Sequence, residues 1–231
     1  MPGNNVPPAT SPAFADDLAA RIRRAGVIAT LTVDQPADAV PLARALVAGG
    51  VDCLELTLRT ATALEAIRQI VSQVPEALVG VGTVLTPEQV DQCREAKAAF
   101  AVAPGMNRRV VDQARRVGLS FAPGICTPSE VEQALEAGCT LLKFFPCEPS
   151  GGLAYLKSLA APYMHLGVKF IPLGGIDLAN AERYLNESCI PALGGSWIAP
   201  RELVQRHDWA TITHNARQVT ELVRRVRGAA A

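Results

Sequence analysis

Two titratable residues of this chain stand inside short apolar runs, where titratable residues seldom stand. Cys53-Leu54-Glu55-Leu56-Thr57-Leu58 carries a glutamate, and Thr140-Leu141-Leu142-Lys143-Phe144-Phe145 carries a lysine. Side chains alternate between faces along an extended strand, so Leu54, Leu56 and Leu58 share one face while Glu55, Thr57 and Arg59 share the other. By the same alternation Leu141, Lys143 and Phe145 point together. A buried carboxylate is costly unless it is paired, protonated or used. A lysine beside an aromatic ring loses the water that favours its ammonium, and a free amine attacks carbonyl carbon. The two residues therefore read either as a structural ion pair or as an acid/base with a Schiff-base lysine. Lys143 stands out further because the chain has only four lysines (Lys97, Lys143, Lys157, Lys169) against eighteen arginines.

Two glycine pairs close later apolar runs, in Leu173-Gly174-Gly175-Ile176 and Leu193-Gly194-Gly195-Ser196-Trp197. Backbone N–H groups with no side chain in front of them can hold a phosphate, although a glycine pair also suits a plain tight turn. Gly82-Thr83 and Ala103-Pro104-Gly105 supply further loops at run ends. The three histidines, His165, His207 and His214, lie in the last third without ligand spacing, so a transition-metal centre is not expected. Trp197 and Trp209 read as packing residues.

These side chains need a scaffold that brings run ends together. Eight β-prone runs recur: Val27–Val33, Cys53–Leu58, Leu78–Val84, Phe100–Ala103, Leu119–Ala122, Thr140–Phe145, Lys169–Leu173 and Ile190–Leu193. Helical stretches separate them, including Pro36–Ala48, Ala61–Gln73, Pro87–Ala96, Arg108–Val117, Pro128–Ala137 and Leu178–Leu185. Thr86-Pro87 and Thr127-Pro128 each place a capping residue before a helix-starting proline. The glycines of Ala48-Gly49-Gly50-Val51, Val117-Gly118-Leu119 and Ala137-Gly138-Cys139 sit where left-handed helix stops belong. Eight strand–helix repeats over this length predict a single-domain (β/α)8 barrel, an α/β fold whose chemistry lies at the C-terminal strand ends. The alternative is a doubly wound open sheet, but no G-x-G-x-x-G turn follows the first run. Barrel residues are expected over 13–231, with closing helices between Arg201 and Arg227.

Composition narrows the partners. Of the 231 residues 49% are hydrophobic and 19% charged, which excludes a disordered chain, and no apolar run approaches the ~20 residues of a membrane span. Twenty-two basic residues balance twenty-two acidic ones, leaving no electrostatic footprint for a nucleic acid. The six cysteines are dispersed without a C-x-x-C pair, as in a reducing cytosol. Residues 1–12, rich in Pro, Asn and Ser, lack the pattern of a signal peptide and read as a flexible tail on a cytoplasmic protein.

Taken together, the strings resemble the 2-keto-3-deoxy-6-phosphogluconate (KDPG) aldolase / 4-hydroxy-2-oxoglutarate (KHG) aldolase family. They are Ala48-Gly49-Gly50-Val51, Leu54-Glu55-Leu56-Thr57-Leu58-Arg59-Thr60, Gly80-Val81-Gly82-Thr83-Val84-Leu85, Pro104-Gly105, Pro123-Gly124-Ile125, Lys143-Phe144-Phe145-Pro146, Gly174-Gly175-Ile176 and Gly194-Gly195-Ser196-Trp197. They occur in family order over about residues 20–225. The resemblance implies a class I, metal-free and cofactor-free aldolase (a carbon–carbon lyase), usually a homotrimer. It implies cleavage of KDPG to pyruvate and glyceraldehyde 3-phosphate. By it Lys143 forms the Schiff base and Glu55 moves protons, Arg59 and Thr83 meet the carboxylate end, and Phe145 packs beside the imine. Gly175, Gly195 and Ser196 match phosphate-holding positions, and Pro104 and Gly174 line the substrate. Leu173 departs from the family threonine, which opens the phosphogalactonate epimer as a substrate. KHG is a further alternative, and a non-catalytic phosphosugar-binding barrel a remote one.

Overall fold

The computed structural model describes residues 14–228, so the tail expected over residues 1–12 lies outside the described residues. Strands and helices alternate from the start. After α1 (Asp16–Ala25) come β1 (Val27–Leu31), α2 (Ala39–Ala48), β2 (Cys53–Thr57), α3 (Ala63–Gln73), β3 (Leu78–Gly82) and α4 (Pro87–Glu95). The middle third holds β4 (Phe100–Val102), α5 (Arg108–Val117), β5 (Ser120–Ala122), β6 (Gly124–Ile125), α6 (Pro128–Glu136) and β7 (Leu141–Phe144). The last third holds α7 (Gly152–Ala160), β8 (Lys169–Pro172), α8 (Ala181–Leu185), β9 (Leu193–Gly195), α9 (Arg201–Gln205) and α10 (Trp209–Arg227).

Local chemistry sets these boundaries. At the start of α4 the Thr86 hydroxyl accepts from the Gln89 backbone N–H while the Gln89 side chain accepts from the Thr86 N–H. Thr127 and Glu130 form the same reciprocal box at α6. Each box satisfies donors that a helix start leaves unpaired. Gly118 ends α5 in the left-handed region, φ 67°.

All ladders are parallel, and they form a curled sheet in two parts, in the orders β5-β4-β3-β2-β1-β9 and β6-β7-β8. Eight unbroken strands closing into one ring were expected, and the strands differ from that in two places. The fifth run forms β5 as expected, but a further two-residue strand, β6, follows across Pro123, which has no N–H to give to a ladder, while its carbonyl accepts from the Lys143 N–H at 2.9 Å. The eighth run was placed at Ile190–Leu193 and forms instead at Leu193–Gly195, because Pro191 interrupts the earlier segment. Between β8 and β9 the described residues show no ladder, only single bonds such as Phe170 N–H to the Cys189 carbonyl at 2.8 Å.

Alternation sorts the side chains into two cores. Ala29, Leu31, Leu54, Leu56, Val79 and Val81 lie on the outer face with the apolar stripes of the helices. Ile28, Cys53, Leu78, Phe100, Leu141 and Ile171 face inward, and Phe14 and Ile22 join them. Cys53, Leu78, Phe100 and Leu141 are the first residues of their strands. Phe14 (ring centroid 6.0 Å from Phe100) and Ile22 on α1 therefore plug the end where strands begin. The opposite, C-terminal end is left for polar side chains. Among the described residues no helix is long and apolar enough to cross a membrane.

Candidate active site

Strands β2 and β7 aim Glu55 and Lys143 at each other across the interior. Lys143 Nζ donates to Glu55 Oε1 at 2.9 Å, with the residues only 6% and 1% exposed. Room for the carboxylate comes from β3: a side chain at Gly82 would stand on Glu55 Oε1. Phe145 lies on the face of Lys143, its ring centroid 5.7 Å from Nζ. Gly174, at φ 97°, sits against this ring, where an added Cβ would be 3.3 Å from Phe145 Cε2. Thr83 follows Gly82 in the left-handed region at φ 61°, uncommon for a β-branched residue and characteristic of functional sites. Pro104 packs on Gly124, the ladder partner of Lys143.

A cleft of about 510 Å³ opens beside this pair, lined by Thr30, Thr32, Arg59, Gly175, Ser196 and Trp197 among others. Thr30 is the β1 ladder partner of Glu55, which puts the cleft next to the buried pair. Arg59 is braced there: its Nε donates to Thr57 Oγ1 at 3.0 Å and Nη2 donates to Thr32 Oγ1 at 2.9 Å. Thr57 in turn donates to the Leu31 carbonyl at 3.1 Å. A guanidinium held by threonines and, among the described residues, without a carboxylate contact keeps its charge for a carboxylate or phosphate.

Gly175 has φ 79°, and an added Cβ would stand 2.6 Å from Glu148 Cβ. Trp197 folds over Gly195 so closely that a side chain there would overlap the indole. The tryptophan thus packs, as expected from sequence, and also walls the cleft. Thr30, Thr32 and Arg201 line the cleft as well, although sequence reading did not single them out. A period-2 signal for the threonines existed, since Ile28, Thr30 and Thr32 alternate with Ala29, Leu31 and Val33. Arg201 had none, because its place depends on a bidentate pair with Asp34 at 2.7 and 2.8 Å.

The expected residues thus gather at one end of the strands. Arg59, Gly175 and Ser196 line the cleft itself, Lys143, Glu55, Phe145 and Gly174 form the adjoining cluster, and Thr83 and Pro104 lie just beyond the ends of β3 and β4. Leu173 is buried and covers Gly194, where a side chain would collide with it. Burial pushes the thiol of nearby Cys147 up to about 11. The described residues contain no group of three or more His, Cys, Asp or Glu gathered as metal ligands.

A family model described as KDPG and KHG aldolase matches residues 18–215. The chain belongs to this family. A 2-dehydro-3-deoxy-phosphogluconate aldolase of Treponema pallidum (strain Nichols) is 43% identical over 202 residues, spanning 87% of this chain and 95% of the relative. The fold is similar to the KDPG aldolase of Legionella pneumophila, with TM-score 0.83 and 37% identity over 87% of this chain and 97% of that one. That structure holds pyruvate captured at low pH as a covalent carbinolamine intermediate. The aldolase of Zymomonas mobilis ZM4, with 3-phosphoglycerate, also has TM-score 0.83, at 39% identity over 90% and 97% of the two chains. The KDPG and KHG aldolase family is thus the family that the glutamate, lysine and glycine-pair strings resemble.

Proposed function

We propose that this chain is a class I aldolase that cleaves KDPG reversibly to pyruvate and glyceraldehyde 3-phosphate. The buried pair of Lys143 and Glu55 beside a cleft with a braced arginine carries the reading. Glu55 accepts a proton from the Lys143 ammonium, and the free amine attacks the C2 ketone. The carbonyl oxygen takes that proton to give a carbinolamine. Glu55 then helps expel the hydroxyl as water, leaving a protonated imine. Its positive nitrogen draws electrons from the C3–C4 bond as a base removes the C4 hydroxyl proton, which releases the aldehyde. The enamine is protonated at C3, and water hydrolyses the imine to pyruvate. Acid–base assistance of this kind contributes roughly 10²–10⁴-fold, and the covalent electron sink lowers the remaining barrier.

Arg59, with Thr83, receives the substrate carboxylate in this reading, Phe145 packs beside the imine, and Pro104 lines the substrate. Gly175, Gly195 and Ser196 take the phosphate, and Gly174 lines the substrate. The curled sheet completes a (β/α)8 barrel as a single domain, and the protein works as a cytoplasmic homotrimer. The two-substrate family name supports KHG as a second substrate, cleaved to pyruvate and glyoxylate. Incubation with pyruvate and borohydride, followed by peptide mapping, tests the core assignment. A pyruvyl adduct on Lys143 is expected; its absence in folded protein overturns the reading. Comparing rates on KDPG, its C4 epimer and KHG ranks the substrates, and sedimentation tests the trimer.

A further inference from the structure

Among the described residues two buried side-chain polar atoms lack a hydrogen-bond partner, Thr30 Oγ1 and Arg115 Nε. The arginine lies on α5, away from the cleft. Thr30 lines the cleft, beside Glu55 in the β1–β2 ladder. Its threonine neighbours are all engaged: Thr32 and Thr57 hold Arg59, and Thr60 donates to the Val33 carbonyl at 2.9 Å. A covered hydroxyl without a partner is unfavourable, and native proteins keep such groups for a reason. Rotation about χ1 exchanges the hydroxyl of a threonine with its methyl, and at Thr30 this breaks no hydrogen bond.

The adjoining strand β9 (Leu193–Gly195) has no hydrogen-bonding side chain to offer. Gly194, the ladder partner of Ile28, has no side chain, and Leu173 fills the space in front of it. Between the Lys143–Glu55 pair and the glycine loops, a keto-acid phosphate presents the hydroxyl on the carbon just beyond the bond that breaks. We propose that Thr30 is a specificity-determining residue, whose hydroxyl binds that C4 hydroxyl and selects its configuration. This inference rests on the aldolase reading above.

The test is condensation of pyruvate with glyceraldehyde 3-phosphate by the wild type, Thr30→Val and Thr30→Ser, with the two C4 epimers separated and counted. Thr30→Val removes only the hydroxyl and should lower the epimer ratio about tenfold, the worth of one neutral hydrogen bond. Thr30→Ser should restore it. Borohydride trapping of pyruvate, which has no C4, is run on each protein and should still mark Lys143. An unchanged epimer ratio in a Thr30→Val protein that traps pyruvate overturns the role of Thr30. Failure of the wild type to trap pyruvate overturns instead the aldolase reading beneath it.

Discussion

Gly82 makes the place in which Glu55 stands: the carboxylate oxygen that accepts from Lys143 lies where a side chain on residue 82 would begin. A strand glycine is therefore part of the geometry of the buried pair. Gly82→Ala should push the carboxylate off Lys143 while leaving the outer core untouched. Since displacements near 1 Å at a reacting centre cost on the order of 10²-fold, kcat should fall by about that factor, with far-ultraviolet circular dichroism unchanged. Steady-state kinetics on KDPG checks it.

The buried pair also makes a stability prediction. Lys143→Met leaves Glu55 in the interior without its partner, and breaking a buried pair costs roughly 3–5 kcal/mol. Adding Glu55→Gln removes the stranded charge and should recover much of that loss. Urea unfolding of the single and double variants measures the difference, and both should be inactive. A double variant no more stable than the single one would show that the carboxylate is not stranded.

Ser196 is exposed at the cleft, beyond the glycine pair of β9. If its hydroxyl holds a phosphate oxygen, Ser196→Ala loses a hydrogen bond to a charged group, about 1.5–3 kcal/mol. KM for KDPG should then rise roughly 10- to 100-fold while kinetics on unphosphorylated KHG stay as they were. Equal losses on both substrates would remove the phosphate from this position.

The buried thiols set an alkaline limit. Burial pushes Cys93 up to about 12 and Cys139 and Cys147 up to about 11, and it also raises Cys53. In the unfolded chain these thiols ionise near their ordinary value of 9.0. Between that value and the folded ones the native state binds more protons than the unfolded state, so stability falls as pH rises. Each such thiol contributes a slope of about 1.4 kcal/mol per pH unit. Urea midpoints should drop from about pH 9 upward, and Cys147→Ala should lessen the slope. At pH 8 half-buried Cys126 should react with iodoacetamide before these four.

Much of this arrangement was legible in the chain because strand periodicity is local. Alternation alone put Glu55 with Thr57 and Arg59, and Lys143 with Phe145, on inward faces, and the Thr-Pro pairs marked two helix starts. The strand–helix repeat announced a parallel α/β fold, and the ordered strings pointed to the family. Local periodicity missed the short strand β6 beyond Pro123 and misplaced the eighth strand, where Pro191 overrides apolar propensity by withholding an N–H.

Tertiary structure decided what contacts between distant segments alone can decide. Residues 55 and 143 meet at 2.9 Å because β2 and β7 face each other across a curled sheet. Arg59 is braced by Thr32 because β1 and β2 are ladder neighbours. Thr30 was not singled out from sequence, and that its hydroxyl has no partner among the described residues depends on every neighbouring element at once. Periodicity tells which way a side chain points, whereas hydrogen bonding and close packing are set by what the rest of the chain brings to meet it.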